Sequence, residues 1–470
     1  MYTKKKYVPI SSADNVIDRY YPYYHLAPPF GWMNDPNGFC VFKKEYHIFY
    51  QHNPLTSQKP GIAHWKHAKS KDLFNWEHLP IALYPDQEYD KSGVFSGSAI
   101  VENDTMYLFY TGNVNFPGHK QLQALASSDD AMNFTKYSGN PIIRAEEHQP
   151  DIRDPKVWKH KNTYYMVLGN SNKMFGRVLL YASRDMINWM EISVLGESVG
   201  NLGYMWECPD FFQLGNYWVL LFSPQGIEPQ GDKFKNLYQT GYIVGEFDYD
   251  TNEFLHKTEF KELDYGHDFY ATQSILDESG RRIVVAWFDM WEQVYPERND
   301  NWAGTLTIPR VLELTENLEL IQLPVKEIEV VQGDMLFSGE GSLGIIVKLP
   351  NNAGKIKITT CTHKNLVVFI QGGINTTVTI SYNYLTNKVT LDRGGTDGER
   401  RTKWIPKHQL EMEIYIDRST IEVFCGKGEV TFSSRFFPDK NVSVSLGSPV
   451  DKMIIHSMKR TVTRSIRYYF

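Results

Sequence analysis

Long apolar runs, metal-type cysteine spacing and blocks of one charge are all scarce in this chain, and each scarcity closes off a class of function. In 470 residues no stretch approaches the roughly 20 apolar residues of a membrane-spanning helix. The four cysteines, Cys40, Cys208, Cys361 and Cys425, stand far apart with no C-x-x-C pair. This argues against a zinc site and a disulfide framework, and predicts buried free thiols. The only basic run is Lys4-Lys5-Lys6 and the net charge is -6, so neither nucleic acid nor an anionic membrane is an expected partner. No apolar core follows those lysines, which favours the cytoplasm; sequons at Asn103, Asn133, Asn375 and Asn441 leave a trimmed secreted form open.

What the chain does have is aromatic residues, at 14%, in an otherwise ordinary globular composition of 42% hydrophobic and 22% charged residues. Aromatic-rich apolar strands recur at residues 46–50, 106–110, 164–168, 217–221 and 283–287. Their starts lie roughly 53 to 66 residues apart, a spacing suited to four-stranded propeller blades. A second marker, Ser-x-Asp-x-x-Asn followed by an aromatic residue, repeats at Ser70, Ser128 and Ser183. The pattern predicts an all-β chain: a five-bladed β-propeller over residues 1–325, a linker over 326–337, and a β-sandwich of short alternating strands over 338–470.

About ten residues before each recurring strand stands a polar or acidic position: Asp35, Ser96, Asp154, Glu207 and Gln273. Blades pack radially, so equivalent positions on five innermost strands converge near one end of the central axis. Three carboxylates would then face one another, an arrangement that costs stability through charge repulsion unless chemistry requires it.

Local sequence predicts different states for the three acids. Asp35 lies in the turn Asn34-Asp35-Pro36-Asn37-Gly38, where the Asn37 and Gly38 amides are placed to keep it ionised, as a nucleophile needs. Glu207 is flanked by Met205, Trp206 and Cys208, an apolar shell that would raise its pKa and suit a proton donor. Asp154 adjoins Arg153, which favours the ionised form and a role in gripping hydroxyls or stabilising positive charge. One ionised and one protonated carboxyl across a pocket is the arrangement of a glycosidase. The hairpin Asp417-Arg418-Ser419, with Glu422, reads as a structural turn carrying an ion pair.

Trp32-Met33-Asn34-Asp35-Pro36-Asn37-Gly38, Arg153-Asp154-Pro155 and Glu207-Cys208-Pro209 together resemble the three acid motifs of glycoside hydrolase family 32. So do Gln51-His52-Asn53-Pro54, Phe95-Ser96-Gly97-Ser98, Phe269-Tyr270-Ala271-x-Gln273 and Asp417-Arg418-Ser419-x-x-Glu422. The resemblance implies Asp35 as nucleophile, Glu207 as acid/base and Asp154 as transition-state stabiliser. It also implies a β-fructofuranosidase, with sucrose and sucrose 6-phosphate both open as substrates and fructan hydrolysis or fructosyl transfer as alternatives. A hydroxyl-rich sugar predicts a pocket lined by Asn34, Gln51, Trp65, Phe95, Ser96, Arg153 and Gln273, with no metal or cofactor. The expected assembly is a monomer or homodimer.

Overall fold

The computed structural model describes residues 19–144, 151–374 and 376–464. Lys4-Lys5-Lys6 and Asn375 lie outside the described residues. Four of the five sheets in the first part of the chain are built as consecutive antiparallel strands running from the axis outward. The fold is a five-bladed β-propeller followed by a β-sandwich.

The innermost strands are Gly31–Phe42, Gly93–Glu102, Ile152–His160, Met205–Leu214 and Tyr270–Leu276. Each packs beside the next, and the fifth packs against the first, which closes the ring. Closure is reinforced where Trp302–Ala303, reached after the fifth innermost strand, pairs in parallel with Gly31 and Trp32. In the first three blades the Ser-x-Asp-x-x-Asn marker forms the turn between the third and fourth strands. The Asp72 carboxylate accepts the Ser70 hydroxyl at 3.1 Å and the Asn75 amide at 2.7 Å. Asp130 and Asp185 repeat the same bonds. A carboxylate receiving several donors is held ionised and fixes the turn.

The last strand of the fifth blade, Leu320–Pro324, is followed by a short 3-10 helix over Lys326–Val331. The strand Gln332–Gly341 then joins the sandwich, so the expected linker is mostly ordered secondary structure. Two six-stranded sheets enclose the sandwich core, in which Ile356, Val368, Ile414 and Val423 are fully buried. Alternating strands bury one face of each sheet against the other. Three cysteines are buried as expected, but Cys361 is exposed.

The turn at Asp417 is not local. Its carboxylate accepts the backbone amides of Tyr23, Tyr24 and His25 at 2.7, 2.9 and 3.1 Å, tying the segment before the first blade to the sandwich. The His25 ring bridges Asp417 and Glu422, at 2.8 Å to each. Glu422 also meets Arg310 of the propeller at 2.5 Å, and Arg310 reaches Asp264 at 3.0 Å. All these side chains are buried. Sequence reading missed this clasp because its partners lie more than a hundred residues apart. Removing one member strands the others in a low dielectric, so Arg310→Met is expected to cost about 3–5 kcal/mol in urea unfolding. A loss under about 1 kcal/mol would show that the domains are held by other contacts.

Candidate active site

Every innermost strand carries a register shift at or within two residues of its expected convergent position, the fifth at Ala271 and not at Gln273. The extra residues fall between Met33 and Pro36, Phe95 and Gly97, Arg153 and Lys156, Glu207 and Asp210, and Tyr270 and Thr272. A regular strand alternates its side chains, whereas a bulge aims neighbours toward the same side. Asp154, Cys208 and Ala271 adopt φ of 65°, 48° and 53° at these bulges. Such conformations cost roughly 1–3 kcal/mol each and cluster at functional sites. Gly38 also has positive φ, and a Cβ there would lie 2.7 Å from the Phe49 ring.

The bulges bring the three acids together. The Asp35 carboxylate accepts the Ser96 hydroxyl at 2.6 Å, and Ser96 accepts from Gln51 at 2.5 Å. Its other oxygen accepts from Asn34 at 3.2 Å, and Asn34 is itself oriented by the Trp32 indole at 3.0 Å. The donors to Asp35 are therefore side chains, not the Asn37 and Gly38 amides. Burial, then the charge of Glu207, push Asp35 up to about 6, with the Ser96 bond opposing them. The low pKa expected from the turn is overturned, because a channel wall is drier than a loop tip. Asp35 is still largely ionised near neutral pH.

Cys208 ties the cluster. Its amide donates to Asp154 at 2.8 Å and its thiol lies 3.7 Å from Asp35. Burial, followed by the field of Glu207, raises Asp154 to about 7, against the opposing charge of Arg153. Arg153 does not bond Asp154 as its sequence neighbour. Its Nε and Nη2 grip one oxygen of Glu207 at 2.9 and 2.7 Å. The other Glu207 oxygen accepts the Tyr270 hydroxyl at 2.5 Å and the Gln225 amide at 2.8 Å. The apolar shell predicted for Glu207 is thus a polar cradle. Strand alternation turns Trp206 the other way, where it stacks on Phe222 at 4.1 Å between ring centres.

Asn34, Gln51, Ser96 and Arg153 reach the acids directly or through one another. Two expected lining residues do not. Trp65 is fully buried, and its indole supports the pocket from behind by donating to the Phe95 carbonyl at 3.0 Å; Phe95 is half-buried. Gln273 accepts from Lys156 at 2.9 Å, and its amide lies 3.4 Å from the Gly97 carbonyl. Nearby, half-buried Trp291 stacks on Trp32, whose indole orients Asn34, with ring centres 6.3 Å apart. Tyr270 and Gln225 are the site residues that sequence reading left out. Tyr270 stands three positions before Gln273, and Gln225 directly follows the Ser223-Pro224 pair, but nothing local shows that either aims at Glu207.

This arrangement has a buried carboxylate free to attack, a second carboxyl oriented at both oxygens, and a third acid beside them. Ser96→Ala is expected to move the acid limb of kcat/KM to higher pH by about 0.5–1 unit. Losing a donor to the ionised form raises the Asp35 pKa. An unmoved limb would show that another group controls it.

Two family models divide the chain where the fold does. Residues 25–324 match the N-terminal domain of the glycosyl hydrolases family 32, and residues 342–455 match that family's C-terminal domain. The chain belongs to glycoside hydrolase family 32. This family 32 hydrolase is 42% identical to the Bombyx mori GH32 β-fructofuranosidase BmSUC1, with a TM-score of 0.90 over 95% of each chain. It is 37% identical to the sucrose-6-phosphate hydrolase of Zymomonas mobilis over 90% of this chain and 88% of that protein. It is also 38% identical to the raffinose invertase of Escherichia coli, over 89% and 90%. A variant of the Bombyx mori enzyme, at TM-score 0.89, is described in complex with sucrose.

Proposed function

We propose that this protein is a retaining β-fructofuranosidase that hydrolyses sucrose to glucose and fructose. The observation that carries the proposal is the convergence of Asp35, Asp154 and Glu207 on bulged innermost strands, with Cys208 contacting the first two. The names of the relatives support a small fructoside as substrate over a polymer.

In the first step an Asp35 oxygen attacks C2 of the fructosyl unit as the bond to the glucosyl oxygen breaks, and Glu207 gives that oxygen its proton. In the second, water attacks C2 from the side the glucose has left. Glu207 takes the proton and Asp35 is released. Arg153 and Tyr270 hold opposite oxygens of Glu207 and so fix its direction. Asp154, when ionised, offsets positive charge that builds on the sugar ring in both transition states. Nothing in this scheme calls on a metal or cofactor.

Two displacements at C2 return the original configuration. NMR of sucrose turnover is therefore expected to show β-fructofuranose as the first product, before mutarotation. Initial release of the α-anomer would mean direct attack by water and would sink the nucleophile assignment.

A further inference from the structure

Beyond Arg153, which orients Glu207, stand Asp151 and His119, which the two-step reaction does not use. Arg153 spends Nε and Nη2 on Glu207, and its Nη1 faces Gln121 at 3.2 Å and Asp151 at 3.5 Å. Asp151 in turn contacts Nε2 of His119 at 3.0 Å. Side-chain exposure rises along this chain, from 12% at Arg153 to 42% at both Asp151 and His119, so it runs from the acid out to the rim.

The chemistry fixes which part of the substrate passes it. Glu207 must reach the oxygen that leaves fructose, so the glucosyl group lies over Glu207 and beside Arg153. The Arg153 guanidinium there is already engaged by two carboxylates and an amide oxygen. Strand alternation disposes of the neighbouring lysine: His119 and Gln121 face this cluster, so Lys120 between them projects to the opposite face. Among the described residues no hydrogen bond or ion pair joins Lys120 or Arg144 to it. In the segment Lys233-Phe234-Lys235, whose lysines the sequence also offers to the rim, Lys235 donates to the Glu399 carbonyl of the sandwich and Lys233 is exposed.

We infer that Asp151, set at the rim where the glucosyl group leaves, makes this pocket select a neutral substituent on glucose O6 over a phosphate. Sucrose, and raffinose with its galactosyl group on O6, are then substrates, and sucrose 6-phosphate is a poor one. The inference rests on the β-fructofuranosidase reading above. A phosphate dianion held near this partly exposed carboxylate, with Arg153 already engaged, is disfavoured, and added salt weakens the effect.

The test compares kcat/KM for sucrose, raffinose and sucrose 6-phosphate, in the full-length protein and in Asp151→Asn, at low and high ionic strength. The wild type is expected to prefer sucrose to its 6-phosphate by about tenfold or more, less so at high salt, while raffinose stays within several-fold of sucrose. Asp151→Asn is expected to shrink the sucrose to sucrose 6-phosphate ratio at least threefold, through KM of the phosphorylated sugar. Equal or better use of sucrose 6-phosphate by the wild type overturns the inference, and so does an unchanged ratio in the variant. Rejection of raffinose as strong as that of the phosphate would show exclusion by size, which also overturns it. Turnover of none of the three would instead strike down the β-fructofuranosidase reading and take the inference with it.

Discussion

Asp35→Ala is expected to lower kcat/KM on sucrose by at least about 10⁴-fold while the protein keeps its fold. A nucleophile that makes the covalent bond leaves little behind when removed, since the remaining groups then act on a reaction with no first step. Glu207→Gln should lose about 10²–10⁴-fold, the range of a single acid/base group, with the same intact fold. The fold should survive because Asp35 lies in a pocket wall where its charge is opposed by Glu207, not in a hydrophobic core. Activity measured against a far-UV circular dichroism control settles it. An Asp35→Ala protein within tenfold of wild type would mean that another carboxylate attacks.

Asp154→Asn is expected to be slower and, above neutral pH, more stable. The rate loss should be about 10²–10³-fold, as for removal of one transition-state electrostatic contact. The stability effect has the opposite sign. The folded-state pKa of Asp154 is raised to about 7, well above the value of about 3.9 for an unfolded aspartate. Between those values the native state holds a proton that the unfolded chain has released. The wild type therefore loses stability as pH climbs through that window and bears the full cost above pH 7. An uncharged asparagine still offers an oxygen to the Cys208 amide and escapes the cost. Urea unfolding should show a gain of about 1–3 kcal/mol at pH 8 and almost none near pH 4. A variant less stable than wild type at pH 8 would show that the Asp154 charge is satisfied by bonding and not crowded. Loss of rate together with gain of stability is the pattern of a site kept strained for function.

The convergence of the acids was legible because the repeat is a period of the whole chain. Equivalent positions in five similar units must meet on the axis whatever the loops do, so Asp35, Ser96, Asp154 and Glu207 could be placed together from spacing alone. The contacts of each acid were not legible. The sequence neighbours of Glu207 are apolar, yet strand alternation sends Trp206 into the blade, and the contacts of Glu207 come from residues 153, 225 and 270. The same failure put Arg153 on Asp154, its neighbour in sequence, when its guanidinium crosses to the next blade. Trp65, expected to line the pocket as an aromatic wall, is fully buried in its blade.

By itself, the sequence determined the repeat, the all-β architecture and which acids face the axis. All three follow from periodicity and turn chemistry, which act along the chain. Only the tertiary structure decided what each acid touches, that Trp65 is buried in its blade, and how the sandwich is bound to the propeller. Those depend on β-bulges that redirect single side chains and on the clasp of His25, Arg310, Asp417 and Glu422. A bulge is one extra residue whose position is set by the partner strand. A buried ion pair is a bargain between segments far apart in the chain. Neither leaves a local mark, because the free energy that fixes it exists only once the blades have closed around it.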